Sequence, residues 1–419
     1  MTVASSRDAL PPAVVLNMHY TGLALARALR AQGLSVYGLS SDPKLFGNVS
    51  RAIEFTLSPD TEREPEQCRE FLLDFSRKLG RRALLFPTRD HDLHFIRTHR
   101  AQLEEHYELP LAHNAVLDRV LDKEQLFALA RELGVPCPHT LYVRRIDELQ
   151  GALNSVSFPC VVKPVSASQW RKPGIWEAVG MRKAVIIETR AELETFYERV
   201  AAHDPLVCLQ DYIPGDDSAL AILGAYFDSD TGSRAWYTAR KLLQYPAFAG
   251  TGVAVRSCAV PEIVAPSMQL LDALNYSGPA EIEFKYDPRH GDFKLIEINT
   301  RFWDQHALGA ACGVDLVAAL IEDRAHNRQV HLAADGSTVT WIAEDGFLMS
   351  WFCNLRQRLQ RPGSFREAWR GKKVLAVWSA SDPLPALRLL ATLLAQGFAM
   401  AVAAARRRMT AGKPALHAS

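Results

Sequence analysis

The sequence predicts a mixed α/β protein in which a parallel βα beginning is followed by a larger α+β part with long antiparallel strands. Short apolar runs at residues 13–17 and 34–39 flank residues 21–32, whose apolar side chains have helical spacing. Such a β-α-β pattern favours a parallel sheet. From residue 219, long alternating runs are joined by turn residues, which is typical of antiparallel strands. The length of 419 residues predicts two or three domains rather than one core.

Composition and charge exclude several classes of protein. The chain has 48 Lys and Arg against 47 Asp and Glu, so it lacks the basic excess that nucleic-acid-binding proteins usually carry. Its seven cysteines are odd in number and form no CxxC pair, which predicts reduced thiols. Residues 1–12 lack an apolar signal core and predict a flexible leader. These features predict a cytoplasmic protein without a nucleic-acid partner.

Further elements follow from the same patterns. A third strand and a helix complete the first domain, at residues 83–86 and 92–106. Beyond them, strands are expected at residues 159–163, 184–188, 207–211, 219–227, 234–241, 280–286 and 293–299, and helices near residues 123–133, 191–202, 261–274 and 314–327.

Residues 280–301, AEIEFKYDPRHGDFKLIEINTR, contain the most informative pattern. Two alternating runs flank the turn residues DPRHGD, which predicts a β-hairpin. Alternation places Glu281 and Glu283 on one face of the first strand, and Glu297 and Asn299 on one face of the second. A turn centred within DPRHGD sets Glu283 opposite Glu297, and Glu281 opposite Asn299.

Opposed carboxylates require an explanation, because like charges directly across a sheet are destabilising. Carboxylate and amide oxygens on one face form a hard-oxygen site of the kind that Mg²⁺ prefers. The alternative is a solvated polar face that Lys285 screens. On the other face Ile282, Phe284, Ile296 and Ile298 predict a core that pins the register of the hairpin.

This hairpin resembles the closing motif of the ATP-grasp superfamily. Residues 13–330 resemble its predicted ATP-dependent carboligases, which are related to the ATP-binding domain of carbamoyl-phosphate synthase. The motif is an acidic residue before Phe followed by Glu-x-Asn-x-Arg, here Glu283, Phe284, Glu297, Asn299 and Arg301. The resemblance implies that Glu283, Glu297 and Asn299 bind Mg²⁺ or Mn²⁺. It further implies that Arg301 stabilises the transferring phosphoryl group.

The resemblance also implies an ATP site. Lys163 ends an apolar strand before a proline, where a cation reaches the phosphates; the alternative is a strand-end lysine that extends to solvent. The remaining residues with an implied nucleotide role are Lys123 in LDKEQLF, Gln210 and Asp211 in place of an acidic or amide pair, Tyr212 and Ile213 as backbone partners of adenine, and Asp217 on the ribose. Asp216 competes for the ribose role, and a simple turn built on PGDD is the alternative for both.

Arg240 and Lys241 are candidate catalytic cations. Neighbours on a strand point to opposite faces, so only one of them faces the site, and the resemblance favours Lys241. Residues 250–252 are expected in a loop over the phosphates. The segment 165–183 has only two glycines, so Arg171, Lys172, Arg182 and Lys183 are expected to close on phosphate instead.

Substrate contacts are expected from Asn17 and His19, in the loop after the first strand, because such loops bind ligands in α/β sheets. His306, shortly after the metal-binding strand, is a third candidate.

The resemblance implies a Rossmann-like pre-ATP-grasp domain over residues 13–115 and an ATP-grasp domain over 116–330. The latter divides into a small lobe of about 120–205 and a large lobe of about 206–330. In the extension 331–419, residues 384–405 are almost entirely apolar and precede three arginines, Arg406, Arg407 and Arg408. A peripheral membrane contact, a homodimer contact and a helix packed on the body are all open for that segment.

The function implied is an ATP- and Mg²⁺-dependent carboxylate–amine ligase that forms an acyl phosphate from an amino acid or another small carboxylate. The alternatives are a phosphotransferase on the same fold and a non-catalytic nucleotide-binding module.

Overall fold

A computed structural model describes residues 10–165, 170, 174–180, 182, 184–247, 250–334, 336–357 and 363–411, with side chains up to residue 397. Most of the predicted leader lies outside the described residues. Its last part is bound to the body, since the Leu10 carbonyl accepts a hydrogen bond of 2.6 Å from Arg81. All seven cysteines are free thiols, as predicted.

The chain begins with a five-stranded parallel sheet, which confirms the predicted βα start. Its strands are β1 (Ala13–Leu16), β2 (Val36–Ser40), β3 (Glu54–Leu57), β4 (Ala83–Phe86) and β5 (Tyr107–Glu108), and its helices are α1 (Tyr20–Ala31), α2 (Pro65–Leu79) and α3 (Asp90–Glu104). The strand order is β3-β2-β1-β4-β5. Both edge strands escaped the sequence analysis, because β3 is mostly exposed and β5 has two residues, so neither forms an apolar run.

A small antiparallel sheet follows two helices, α4 (Asn114–Leu121) and α5 (Lys123–Glu132). Its strands are β6 (Thr140–Val143), β7 (Cys160–Lys163), β8 (Val185–Ile187) and β9 (Val207–Asp211), accompanied by α6 (Ile146–Leu153), α7 (Ile175–Ala178) and α8 (Arg190–Ala201). The strand order is β6-β9-β7-β8. Because β9 lies inside this sheet, the sheet continues past the predicted lobe limit at residue 205.

The third sheet is the largest. Its strands are β10 (Leu220–Asp228), β11 (Ser233–Tyr245), β12 (Thr251–Ser257), β13 (Ser277–Asp287), β14 (Asp292–Asn299), β15 (His331–Ala333), β16 (Val339–Ile342) and β17 (Lys372–Leu375). Its helices are α9 (Val264–Ala273), α10 (Ala307–Ala311), α11 (Leu316–His326), α12 (Glu344–Gln357), α13 (Ser364–Ala368) and α14 (Leu384–Ala411). The order is β14-β13-β10-β11-β12-β16-β17, and β15 pairs with β11.

Two features of this sheet differ from the predictions. Residues 251–252, expected in a loop over the phosphates, begin β12, which pairs with β11 and β16. The sheet also extends beyond residue 330, because β16 pairs antiparallel with β12, and β17 pairs parallel with β16. The predicted domain limits themselves stay a prediction. Among the described residues, no helix has both the length and the apolarity needed to cross a membrane.

The two faces of the large sheet are covered differently. One face is core along the hairpin β13–β14, where Ile282, Phe284 and Leu295 pack with residues of α4, α5 and α9. On the other face Ile222 and Tyr237 pack with residues of α1, α10 and α11. The hairpin presents charged side chains on this second face, and they form the candidate site.

Candidate active site

The hairpin β13–β14 has the predicted register. Glu283 pairs with Glu297, and Glu281 pairs with Asn299. One detail was wrong: Phe284 pairs with Leu295, so Ile296 is the additional residue of a β-bulge. Ile296 is therefore only half-buried, and Leu295 takes its expected place in the core.

The carboxylates of Glu281, Glu283 and Glu297 share the charged face with the ammonium group of Lys241. Lys241 Nζ donates to Glu283 Oε2, and both side chains are 8% exposed. Asn299 Nδ2 donates to Glu281 Oε2 at 2.9 Å. Burial raises the pKa of Glu281 to about 7, and Glu283 and Glu297 add to this shift while Lys241 opposes it. Burial opposes protonation of Lys241, but the same three carboxylates raise its pKa above the ordinary value. The three carboxylates thus keep Lys241 protonated.

Lys163 brings the end of β7, in the small sheet, to these carboxylates. Its Nζ donates to Gln210 Oε1 at 2.9 Å, which fixes the ammonium group. Burial lowers the pKa of Lys163, Lys123 at the start of α5 adds to the lowering, and the charges of Glu297 and Glu283 oppose it. The structure therefore brings both predicted phosphate lysines and both predicted metal-binding glutamates to one electrostatic site.

Lys285 is a site residue that the sequence analysis considered only as a screen. It follows Glu283 on the same face of β13, and its Nζ lies 5.4 Å from the centre of the Tyr212 ring. Burial and then Lys163 lower the pKa of Lys285, whereas Asp217 and Glu283 raise it. The period of two that places Glu281 and Glu283 together could have identified Lys285 as well.

The segment after β9 contains Tyr212 and Ile213, whose backbone groups are the predicted partners of adenine. Gln210 is buried, and its amide serves Lys163 on one side and Thr140 on the other, at 3.2 Å. It therefore positions the lysine rather than offering a free edge to adenine. Tyr212 lies beneath Lys285, and Asp211 and Ile213 flank it.

Asp217 and Asp216 both have local roles. Asp217 is buried, and its Oδ2 accepts a 2.8 Å hydrogen bond from the backbone N–H of Gln244 on β11. Asp216 caps the adjacent turn by accepting from the N–H of Ser218 at 3.0 Å. Asp216 is thus the N-cap of a short 3-10 helix, Asp217–Ala219, and the ribose role stays a prediction.

Only one of the two adjacent cations on β11 faces the site. Lys241 pairs with Glu283, whereas the Arg240 guanidinium lies 5.2 Å from the ring centre of Phe293, which belongs to the apolar face. The structure thus does not bring Arg240, predicted as a catalytic candidate, to the carboxylates. The alternation of side chains along the strand is the cause.

Arg301 is held by the first domain. Its Nε and Nη2 donate to Asp90 Oδ1 at 2.9 and 2.6 Å, and its Nη1 donates to the Phe302 carbonyl. Burial opposes protonation, but Asp90, Asp304 and Glu281 raise the pKa of Arg301. Asp90, the first residue of α3, was missed because no local pattern connects positions 211 residues apart.

The candidate substrate residues lie in two environments. Asn17 has a φ of 62°, and its Oδ1 accepts from the N–H of His19, which is exposed in the loop after β1. Beside it, Thr21 Oγ1 donates to Asp304 Oδ1 at 2.7 Å. His306, in contrast, is 3% exposed, and its Nδ1 lies 2.6 Å from the Trp303 carbonyl oxygen, so it does not reach an open surface.

The charged face fits a divalent cation bound together with phosphate. No ready-made cage of three or more His, Cys, Asp or Glu side chains exists within the part of the chain that the structure describes. Mg²⁺ needs only one or two carboxylates, because phosphates and waters complete its shell. Glu281 Oε1 is buried and accepts no hydrogen bond from the described residues. A buried acceptor without a donor is suited to binding a cation. Of the expected lid cations, Arg171, Lys172 and Lys183 lie outside the described residues.

Comparisons with known proteins agree with this geometry. A family model described as the carbamoyl-phosphate synthase L chain, ATP binding domain, matches residues 255–323, which include the hairpin. The chain is 28% identical over 312 residues to a D-aspartate ligase of Enterococcus faecium, covering 71% of this chain and 72% of that protein.

Two solved structures have a similar fold. The biotin carboxylase domain of the Hydrogenobacter thermophilus 2-oxoglutarate carboxylase has a TM-score of 0.61 at 16% identity, covering 78% of this chain and 72% of that one. The L-amino acid ligase of Bacillus licheniformis has a TM-score of 0.56 at 15% identity, covering 75% and 73%. Fold and site agree with one class: the chain is similar to proteins of the ATP-grasp superfamily, as its hairpin motif predicted.

Proposed function

We propose that this protein is an ATP-dependent ligase that activates the carboxylate of an amino acid, or of another small acid, as an acyl phosphate and joins it to an amine. One observation carries the proposal. Glu283 and Glu297 oppose each other on a face that Lys163, Lys241 and Lys285 reach from three different strands. Carboxylates for a divalent cation beside ammonium groups for phosphates suit a bound nucleoside triphosphate.

ATP and Mg²⁺ are the cofactors. Glu283, Glu297 and Asn299 would hold Mg²⁺, which neutralises charge on the phosphate oxygens when it is bound. The hairpin supplies these oxygens from adjacent strands whose register the apolar face pins.

The lysines supply the remaining positive charge. Lys163, fixed by Gln210, and Lys123 bind the phosphates from the small-sheet side. Lys241 is kept protonated by the carboxylates around it and stabilises charge on the transferring group. Arg301 completes the cationic set from a position that Asp90 fixes.

The chemistry needs little proton transfer from the protein. A carboxylate oxygen of the substrate attacks the γ-phosphorus, the bond to ADP breaks, and an acyl phosphate forms. The amine then attacks the carbonyl carbon and displaces phosphate. The side chains act by positioning the reactants and by neutralising charge where water is excluded.

The amino-acid class of substrate is supported by the names of two similar proteins, a D-aspartate ligase and an L-amino acid ligase. In this chain Asn17 and His19 lie in the loop at the carboxyl end of β1, which is where open α/β sheets bind ligands. Asp304 accepts a hydrogen bond from Thr21, in the first turn of α1, which follows this loop directly. We therefore assign the substrate to the space next to this loop.

The test is ADP release measured over D- and L-amino acids and small carboxylates, each with and without an amine. We expect ADP and free phosphate in equal amounts only when one acid and one amine are present together, with an amide as product. A stable phosphorylated acid would identify a phosphotransferase instead. Nucleotide binding without turnover over the whole panel would identify a non-catalytic module.

A further inference from the structure

Exposed apolar side chains are concentrated near the end of the chain. Eleven of the seventeen large apolar side chains that are exposed among the described residues belong to residues 348–394. They are Leu348, Met349, Trp351, Phe352, Leu355, Trp369, Trp378, Leu384, Leu387, Leu390 and Leu394. We call this set the C-terminal surface. None of it belongs to the candidate active site.

The helix α12 presents one apolar face to the body and another to the outside. On the inner side Phe347 packs against Phe365 and Trp369, with ring centres 5.6 and 5.7 Å apart. On the outer side Leu348, Phe352 and Leu355 recur at helical spacing, and each is more than 40% exposed. An apolar outer face on a surface helix indicates a further contact.

The helix α14 repeats this arrangement. Leu389 and Leu393 pack on the main core, whereas Leu387, Leu390 and Leu394 are 55, 53 and 65% exposed. The two helices are linked, because Glu344 at the start of α12 accepts hydrogen bonds from Val377 and Trp378, shortly before α14. The outer faces of α12 and α14 therefore belong to one segment of the chain, whose inner side chains pack on the body.

The same segment is strongly basic. Residues 344–419 contain twelve Lys and Arg but only four acidic residues, although the whole chain is almost neutral. All four acids have partners within the protein. Glu344 accepts from the N–H groups of Val377 and Trp378, and Asp345 accepts from the Tyr20 hydroxyl. Glu367 pairs with Arg256, and Asp382 pairs with Arg27. Among the described residues of this segment, the exposed cations are Arg356, Arg366, Arg370 and Lys372.

We propose that the C-terminal surface docks on an anionic lipid bilayer. Tryptophans beside leucines suit the boundary between headgroups and acyl chains, and nearby cations attract anionic headgroups. A second copy of the chain is a poorer partner, because a twofold contact would set the basic segment against itself. This inference is independent of the proposed ligase activity.

The test is sedimentation of the full-length protein with phosphatidylcholine vesicles that contain or lack about one third phosphatidylglycerol. We expect binding only to the anionic vesicles, and a decrease with added salt. The double variant Trp351→Gln/Phe352→Gln should bind at least about tenfold more weakly, since it removes two exposed aromatic side chains that would enter the bilayer. The matched control Ile146→Gln changes another exposed apolar residue, on α6, and should bind like the wild type.

The charge contribution is tested separately. Arg370→Gln/Lys372→Gln should weaken binding by about tenfold, because each basic residue near an anionic surface contributes to the affinity. ADP release without vesicles should be unchanged in both double variants. Absence of binding to anionic vesicles, or an equal loss in Ile146→Gln, would overturn the proposal. A concentration-dependent dimer that Trp351→Gln/Phe352→Gln abolishes, without vesicle binding, would do the same.

Discussion

The two faces of the hairpin β13–β14 share one backbone but carry different side chains. On one face Ile282, Phe284 and Leu295 are fully buried in an apolar core. On the other, Glu283 and Glu297 oppose each other at a position where like charges weaken a sheet. The apolar face therefore supplies the stability that allows the charged face to keep an unfavourable arrangement of like charges.

Substitution on the apolar face should have the largest effect on folding. Phe284→Ala leaves a cavity in the core and should lower the free energy of unfolding by about 3–5 kcal/mol. Urea denaturation measures this change. ADP release per folded molecule should stay near the wild-type rate, because Phe284 does not contact the charged face.

The control for this variant is Tyr286→Ala on the same strand, where the side chain is 37% exposed. Its effect on the free energy of unfolding should be within about 1 kcal/mol. Similar losses of stability in both variants would contradict the distinction between buried and exposed positions.

Substitution on the charged face should change activity and leave the fold intact. Glu297→Gln removes one of the opposed carboxylates and should lower the rate of ADP release on the order of 10²–10³-fold. Its free energy of unfolding should be equal to or above that of the wild type, because a repulsion is relieved. Paired kinetic and urea measurements test both parts.

For comparison, Glu322→Gln makes the same chemical change in α11, on a side chain that is 40% exposed. The Glu322→Gln variant should keep the wild-type rate of ADP release. A wild-type rate in Glu297→Gln would refute the assignment of the metal-binding glutamates.

The smallest effect on activity is expected from replacing Lys285 or Arg240, two cations on opposite faces of the sheet. Lys285→Gln should raise the KM for ATP about tenfold, the usual loss for one charged hydrogen bond. Arg240→Gln removes a cation from the opposite face and should stay within about twofold of the wild type. Steady-state kinetics measure both, and equal effects would show that the side of the sheet is not decisive.

Much of the hairpin could be predicted because the information is local. Alternation with a period of two, together with one turn, gave the pairing of Glu283 with Glu297. The bulge at Ile296 could not be foreseen, because neither glycine nor proline marks it in the sequence. The strand β12 was also missed, since Gly250 precedes it and Gly252 is its second residue, and glycine is typical of turns.

The sequence by itself determined which side chains share a face of the hairpin, and with them the oxygens that are proposed to bind the metal. Only the tertiary structure decided what comes to that face from elsewhere: Lys163 from the small sheet, and the pairing of Asp90 with Arg301 across 211 positions. The physical reason is the distance along the sequence over which each property is determined. Side-chain direction along a strand depends on neighbouring residues, whereas the approach of separate sheets depends on how their cores pack.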